Sequence, residues 1–241
     1  MPISHKYKCI FIHIPKSGGT SILNALDIIH GDTSTENRKS LVGWISSEDL
    51  KAYGFASPTL QHLTANDIRK IIPEEIFKNY YKFAIIRNPW ERMLSQYLFD
   101  ESLGLPSIAG KPKKKVSFVE YLKDLSVFLR QEQYEFITDV NGNLLVDYVG
   151  RLENLEKDFK IICKNIGAPE PYLPFENTTK HTHYSEYYTE ETKQIIQKLF
   201  KNDIEMFGYH FEKGSWFDKR KDMMLSLFKE IRHKLHKVSK S

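Results

Sequence analysis

The segment Phe11–Ile22, FIHIPKSGGTSI, decides how the rest of the chain is read. It closes an apolar, β-branched run, Lys8–Ile14 (KCIFIHI), passes a proline, a lysine and two glycines, and opens the apolar-periodic stretch Thr20–Ile29 (TSILNALDII). A short continuous apolar run bounded by turn residues predicts a buried strand, and the periodicity beyond it predicts a helix. Strand, glycine-bearing loop and helix is the layout of a phosphate-binding loop. Gly18 and Gly19 let the backbone bend so that successive N–H groups point inward, and the following helix adds the positive end of its dipole.

The pattern recurs further along. Tyr80–Arg87 (YYKFAIIR) predicts a second buried strand, and Asn88–Phe99 (NPWERMLSQYLF) a helix with Asn88 as N-cap, Pro89 at the first position and Glu91 at the third. TANDIRKII between the two units predicts a short helix. Ser117–Arg130 and Leu152–Gly167 are amphipathic, the latter with Leu152, Leu155, Phe159, Ile162, Cys163 and Ile166 at helical spacing and Gly167 as its stop. LLVDYV, just before it, is compatible with a strand. Strands alternating with helices predict an α/β class: a P-loop-like three-layer fold whose central, mainly parallel sheet is flanked by helices, with ligands beyond the carboxyl ends of the strands.

No internal repeat or linker divides the chain, so residues 1–241 read as one domain. Residues 215–241 read as an appended basic helix with Met224, Leu227, Phe228, Ile231, Leu235 and Val238 on one face. Such a helix either packs on the domain or on a second subunit, or lies peripherally on an anionic membrane. Among 241 residues, 41% are hydrophobic and 27% charged, which are ordinary globular values. The formal charge of +4 and pI near 8.8 do not argue for nucleic acid, although a local basic patch suits an anionic ligand. The run at Lys111–Lys115 is a solvated loop or an attractor for an anionic polysaccharide. Cys9 and Cys163 sit among apolar residues and read as reduced core thiols, with a single disulfide as the alternative. No stretch approaches the roughly 18 apolar residues of a membrane span, and the run ending at Pro15 is no signal-peptide core. A soluble, cytoplasmic protein is the expectation.

Which anion the loop holds is read from its lysine. A nucleotide triphosphatase uses G-x-x-x-x-G-K-[ST], with the lysine after the glycines. Here Lys16 precedes them and Thr20 stands where that lysine would be. A Walker-B strand would deliver an Asp for Mg²⁺, whereas FAIIRNP delivers Arg87. An arginine at a strand end is a ligand for a second anion, since its planar fork accepts a phosphate bidentately. Ser95, two turns into the same helix, adds a hydroxyl donor. The two sites describe a ligand with two separated anionic groups and no obligatory metal.

FIHIPKSGGTS and IIRNPWERMLSQY resemble the two cofactor motifs of sulfotransferases that use 3′-phosphoadenosine 5′-phosphosulfate, and are most similar to the membrane-associated carbohydrate type. LQHLT, GRLENLEKDF from Gly150 and the segment Tyr187–Tyr209 extend the resemblance over most of the chain; it is weakest from Asp100 to Arg130, where an acceptor-binding insertion is expected. The resemblance implies that Pro15, Lys16, Ser17, Gly18, Gly19, Thr20 and Ser21 hold the 5′-phosphosulfate, and that Arg87 and Ser95 hold the 3′-phosphate. It implies sulfuryl transfer by in-line displacement to a hydroxyl, on a carbohydrate, leaving adenosine 3′,5′-bisphosphate. The animal enzymes carry a membrane anchor and lumenal disulfides, and this chain begins almost directly at the cofactor strand, so the expected relative is a soluble one.

Lys16 is then the candidate for stabilising the departing oxygen. His62 is the candidate general base, since it matches the histidine used by related branches; the alternative is a capping or structural histidine. His13 is expected to support the loop by hydrogen bonding to backbone, and His181 and His183, in a polar, Tyr-rich loop, to be exposed, with contact to an acceptor as the alternative. Trp90 packs in the core or flanks the adenine, and Arg151 and Glu153 fit either a family-like motif or a strand-to-helix junction. No histidine or cysteine spacing matches a zinc site. Two other readings are a Mg²⁺-dependent small-molecule kinase, which needs the lysine and the acid that are missing, and a binding module without chemistry, against which Lys16 and His62 speak together.

Overall fold

The computed structural model describes residues 3–26, 62–102, 116–125, 127–169 and 182–213. The lysine run, His181 and the basic C-terminal segment lie outside them.

Four strands form one sheet in the order β1 (Ile3–Ser4), β2 (Cys9–Ile12), β3 (Tyr81–Ile86), β4 (Tyr148–Arg151). β1 is antiparallel to β2, while β2, β3 and β4 run parallel, with Phe11 opposite Phe83 and Ile86 opposite Arg151. Three parallel strands therefore end along one edge, delivering the glycine loop, Arg87 and the turn Leu152–Asn154 to the same side of the molecule.

The two-residue period of the strands sorts their side chains onto two faces, and both are covered. Cys9, Phe11, Phe83 and Ile85 pack under α1 (Gly19–Ala25) and α8 (Leu155–Ile166) through Ile22, Leu23, Phe159 and Ile162. The Phe11 and Phe83 rings stack 5.1 Å apart. Ile10, Ile12, Ala84 and Ile86 face a larger core. Its helices are α2 (Ala65–Ile71), α3 (Glu74–Asn79), α4 (Pro89–Ser102), α5 (Phe118–Lys123), α6 (Val127–Arg130), α7 (Gln133–Ile137), α9 (Glu190–Leu199) and α10 (Lys201–Phe207). The expected mixed α/β architecture, a mainly parallel sheet between helices, is what the described residues form. Cys9 and Cys163 are free thiols buried in the smaller core. Burial pushes the Cys9 thiol up to about 12.

Three local expectations change. Ser117–Arg130 is not one helix: after the Ser117–Glu120 capping box starts α5, the Asp124 N–H is shared between the Glu120 and Tyr121 carbonyls and the backbone leaves helical geometry. That bend buries Leu125 in the core. In LLVDYV only the last residues join the sheet, because Leu144 instead bridges Thr138 across the turn at Gly142. Asp147 then anchors β4 by accepting the Lys82 backbone N–H at 2.7 Å and pairing with its ammonium at 3.0 Å. In α4, the Asn88 side chain caps the Trp90 N–H at 3.1 Å as expected. Glu91 does not close the box, because its carboxylate pairs with Arg87, and the Asn88 N–H donates to Glu153 instead.

Candidate active site

The loop after β2 carries two left-handed residues close together, Lys16 at φ 64° and Gly18 at φ 78°. For a residue with a Cβ this region costs roughly 1–2 kcal/mol. Arg87 offsets part of that cost by donating from its guanidinium to the Lys16 carbonyl at 3.1 Å. The two sequence motifs are thus in direct contact. Gly19 has no room for a side chain, since a Cβ there would lie 1.8 Å from His13 Nε2, and Gly18 is held to glycine by its φ of 78°, with a Cβ there 2.7 Å from the end of the Leu152 side chain. Ser17 is buried with its hydroxyl making no hydrogen bond. Pro15 opens the loop half-buried, and Thr20 and Ser21 lie in the first turn of α1, Ser21 buried.

The Lys16 ammonium rests 3.8 Å from the centre of the Phe99 ring, a cation–π contact with the far end of α4. Burial, and then the positive charge of Arg87, lower its pKa to about 8, and Asp100 opposes the shift. The Asp100 carboxylate accepts from Gln96 Nε2 at 2.9 Å and the Tyr121 hydroxyl at 2.7 Å.

Arg87 is held from every side. The Gln133 side-chain amide accepts its backbone N–H and donates to its carbonyl, each at 2.8 Å. Gln133 is itself tied through its own N–H to the buried carboxylate of Asp203 at 2.8 Å. The Arg87 guanidinium pairs with Glu91 at 3.0 Å, and its Nε is buried with no partner. Ser95 is buried in α4. Among the described residues no hydrogen bond joins it to Arg87, which lies between β3 and α4 rather than on the helix that carries Ser95.

His62 sits just ahead of α2, its Nδ1 2.9 Å from the His13 carbonyl. A carbonyl only accepts, so Nδ1 carries the proton and Nε2 keeps the lone pair. Burial lowers the His62 pKa below 6.5, and the bond to His13 partly opposes this. The two imidazoles lie 4.5 Å apart. Expected to support the loop through a side-chain hydrogen bond, His13 does so differently. Its Nδ1 is buried without a partner, while its ring braces Gly19 by contact and its main-chain carbonyl bonds His62. Burial and the neighbouring His62 push its pKa down to about 3.

Other expectations resolve into structural roles. His183 is half-buried rather than exposed and caps the turn Tyr184–Tyr187, accepting the Ser185 N–H. Trp90 is buried, donates to the Lys193 carbonyl and meets Phe211 edge-on at 5.7 Å. Glu153 accepts the Asn88 N–H at 2.6 Å and the Tyr209 hydroxyl at 3.3 Å, and Arg151 donates to the Phe207 carbonyl over the Tyr209 ring. These two residues fasten the Leu152–Asn154 turn to the strand end and to the segment after α10. Gln133, Phe99 and Asp100 are the contributors that the sequence reading misses. Phe99 and Asp100 share a helix with Ser95, so helical spacing was the available signal; Gln133 carries none in sequence.

Among the described residues no helix is long and apolar enough to cross a membrane. The model of the "Sulfotransferase family" matches residues 1–210. An uncharacterized protein of Archaeoglobus fulgidus is 33% identical over 125 residues, 48% of this chain and 92% of its own length. Carbohydrate sulfotransferase 10 of Xenopus laevis and of Homo sapiens are 25% and 24% identical over 86% of this chain, which spans 66% of their length. Carbohydrate sulfotransferase 14 of Danio rerio is 26% identical over 57% of this chain, which spans 47% of its length. The family match covers the loop, the Arg87 strand end and all four strands, and the chain belongs to the sulfotransferase family.

Proposed function

We propose that this protein moves a sulfuryl group from 3′-phosphoadenosine 5′-phosphosulfate to a hydroxyl on a carbohydrate. The observation that carries the reading is the junction of the two motifs. Arg87 is locked against the Lys16 carbonyl, and each motif keeps a buried polar atom without a partner, Ser17 Oγ and Arg87 Nε. Buried polar groups are almost always paired, so an unpaired one in each of two adjacent anion-seeking segments fits a ligand bearing two anionic groups. The loop Pro15–Ser21, with a left-handed Gly18 and no room for a Cβ at Gly19, would take the 5′-phosphosulfate, and Arg87 with Ser95 the 3′-phosphate.

When bound, the donor would supply an activated sulfuryl group for in-line displacement by the acceptor oxygen, with adenosine 3′,5′-bisphosphate as the leaving group. The chain supplies the rest. Lys16, moved off Phe99, stabilises negative charge on the departing oxygen. His62, with its proton fixed on Nδ1, takes the acceptor proton at Nε2. Gln133 keeps Arg87 aimed. The carbohydrate acceptor follows from the names of the relatives. A Mg²⁺-dependent kinase would need a carboxylate where β3 delivers Arg87, and nothing in the site favours it.

The test is transfer from sulfur-labelled donor to a panel of polysaccharides, in chelator. Label in a carbohydrate fraction, lost with Lys16→Ala, supports the proposal. Mg²⁺-dependent phosphoryl transfer from ATP in place of it contradicts the proposal.

A further inference from the structure

We propose that His13 is a positioning residue that couples the anion loop to the general base, its ring setting the loop and its carbonyl setting His62. The half concerning the base rests on the role given to His62 above.

Three contacts of one residue make the case. On one side, His13 Nε2 occupies the space a Cβ of residue 19 would need, 1.8 Å from the ideal position. The identity of residue 19 is therefore dictated by the imidazole. On the other, the His13 carbonyl receives the His62 Nδ1 proton at 2.9 Å, and the two rings lie 4.5 Å apart. Beneath, the His13 ring stacks on Phe11 at 5.4 Å and 20°, and Phe11 stacks on Phe83 in the sheet core. The residue is thus a wedge seated on the sheet, touching the phosphate loop with its side chain and the base with its main chain.

The wedge has no chemistry of its own to perform. It is buried, its Nδ1 has no partner, and burial holds it neutral. A hydrophobic residue of similar size could fill the space, but the planar ring fits between a loop backbone and a second imidazole while stacking on Phe11. A shift of Gly19 would press on the ring, and a shift of the ring would move the main chain that carries the carbonyl. Loop geometry and the tautomer of His62 are therefore linked through one residue.

The experiment is a double-mutant cycle with two readouts, run on Gly19→Ala, His13→Ala and the double variant. The first readout is calorimetric affinity for adenosine 3′,5′-bisphosphate. Gly19→Ala should weaken binding, and adding His13→Ala should restore about tenfold or more of the loss, because the methyl group then enters the space the ring has left. Equal losses with and without His13 would overturn the wedge. The second readout needs no nucleotide: nitrogen NMR of labelled histidine in wild type and His13→Ala, each recorded well below its own melting transition. Wild-type His62 should show the Nδ1–H tautomer, and His13→Ala a mixture of both. An unchanged tautomer in the variant would overturn the coupling. Should wild type itself fail to bind the bisphosphate, the functional proposal falls, and the tautomer readout still decides the role of His13.

Discussion

The glycine loop and the Arg87 strand end lie at the carboxyl ends of adjacent parallel strands, yet they are built in opposite ways. Arg87 is fixed before any ligand arrives. Gln133 holds its backbone at both polar atoms, Glu91 and the Lys16 carbonyl hold its guanidinium, and Glu153 holds the next N–H. The loop has two backbone positions in the left-handed region, a buried hydroxyl without a partner and an ammonium resting on an aromatic ring. One end is preorganised and the other is poised to rearrange. The proposed function, holding a nucleotide in register while a group is transferred, would need both, because fixed dipoles favour binding and the reacting end must meet a changing charge.

If that division is right, the largest losses come from the loop side and from chemistry, and the smaller ones from affinity. Replacing His62 with Ala should lower turnover by about 10²–10⁴-fold while bisphosphate binding stays near wild type. An active variant would refute the base. The wild-type pH profile should agree. His62 must be neutral to accept a proton and burial keeps its pKa below the ordinary imidazole range, so the acid limb of kcat/KM should lie below that range. Lys16 must be charged and its pKa is about 8, so kcat/KM should also fall as pH rises through that value.

Next in size, Lys16→Ala should reduce turnover by about 10²–10³-fold, with steady-state rates as the check. Lys16→Arg should move the alkaline limb to higher pH, and a limb left in place would assign it to another group. Arg87→Ala should weaken adenosine 3′,5′-bisphosphate by about 10–100-fold, the worth of charge-assisted hydrogen bonds, and a nucleotide without the 3′-phosphate much less. Equal loss for both by calorimetry would mean Arg87 serves only to brace Lys16. The smallest effect belongs to Glu91→Gln. Glu91 pairs with the guanidinium and would share it with a 3′-phosphate held as proposed, so removing its charge should tighten bisphosphate binding by about 2–5-fold. Weaker binding would show that Glu91 orients Arg87 more than it competes.

The parts of this arrangement that depend on local pattern were legible in sequence. The apolar runs at Lys8–Ile14 and Tyr80–Arg87 announced buried parallel strands, the glycine pair announced the loop, and Asn88-Pro89 announced the start of α4. What sequence could not show is what arrives from a distance. Glu91 is a good capping residue by position, and only the placement of Arg87 diverts its carboxylate to an ion pair. Gln133 and Glu153 take their roles because α7 and the turn after β4 are folded against the end of β3. Phe99 reads as one apolar position on α4 until the helix is seen to carry it over Lys16. His13 reads as a backbone-bonding histidine until its ring is seen filling the space beside Gly19. The break at Asp124 follows from burying Leu125, which periodicity alone does not reveal.

The central claim is that the two motifs together bind a nucleotide carrying both a 5′- and a 3′-anionic group, without metal. Calorimetry with adenosine 3′,5′-bisphosphate and with ATP, each in Mg²⁺ and then in chelator, tests it most directly. The account predicts tight bisphosphate binding that chelator does not change, and little binding of ATP. Mg²⁺-dependent ATP binding with no preference for the 3′-phosphate would contradict it.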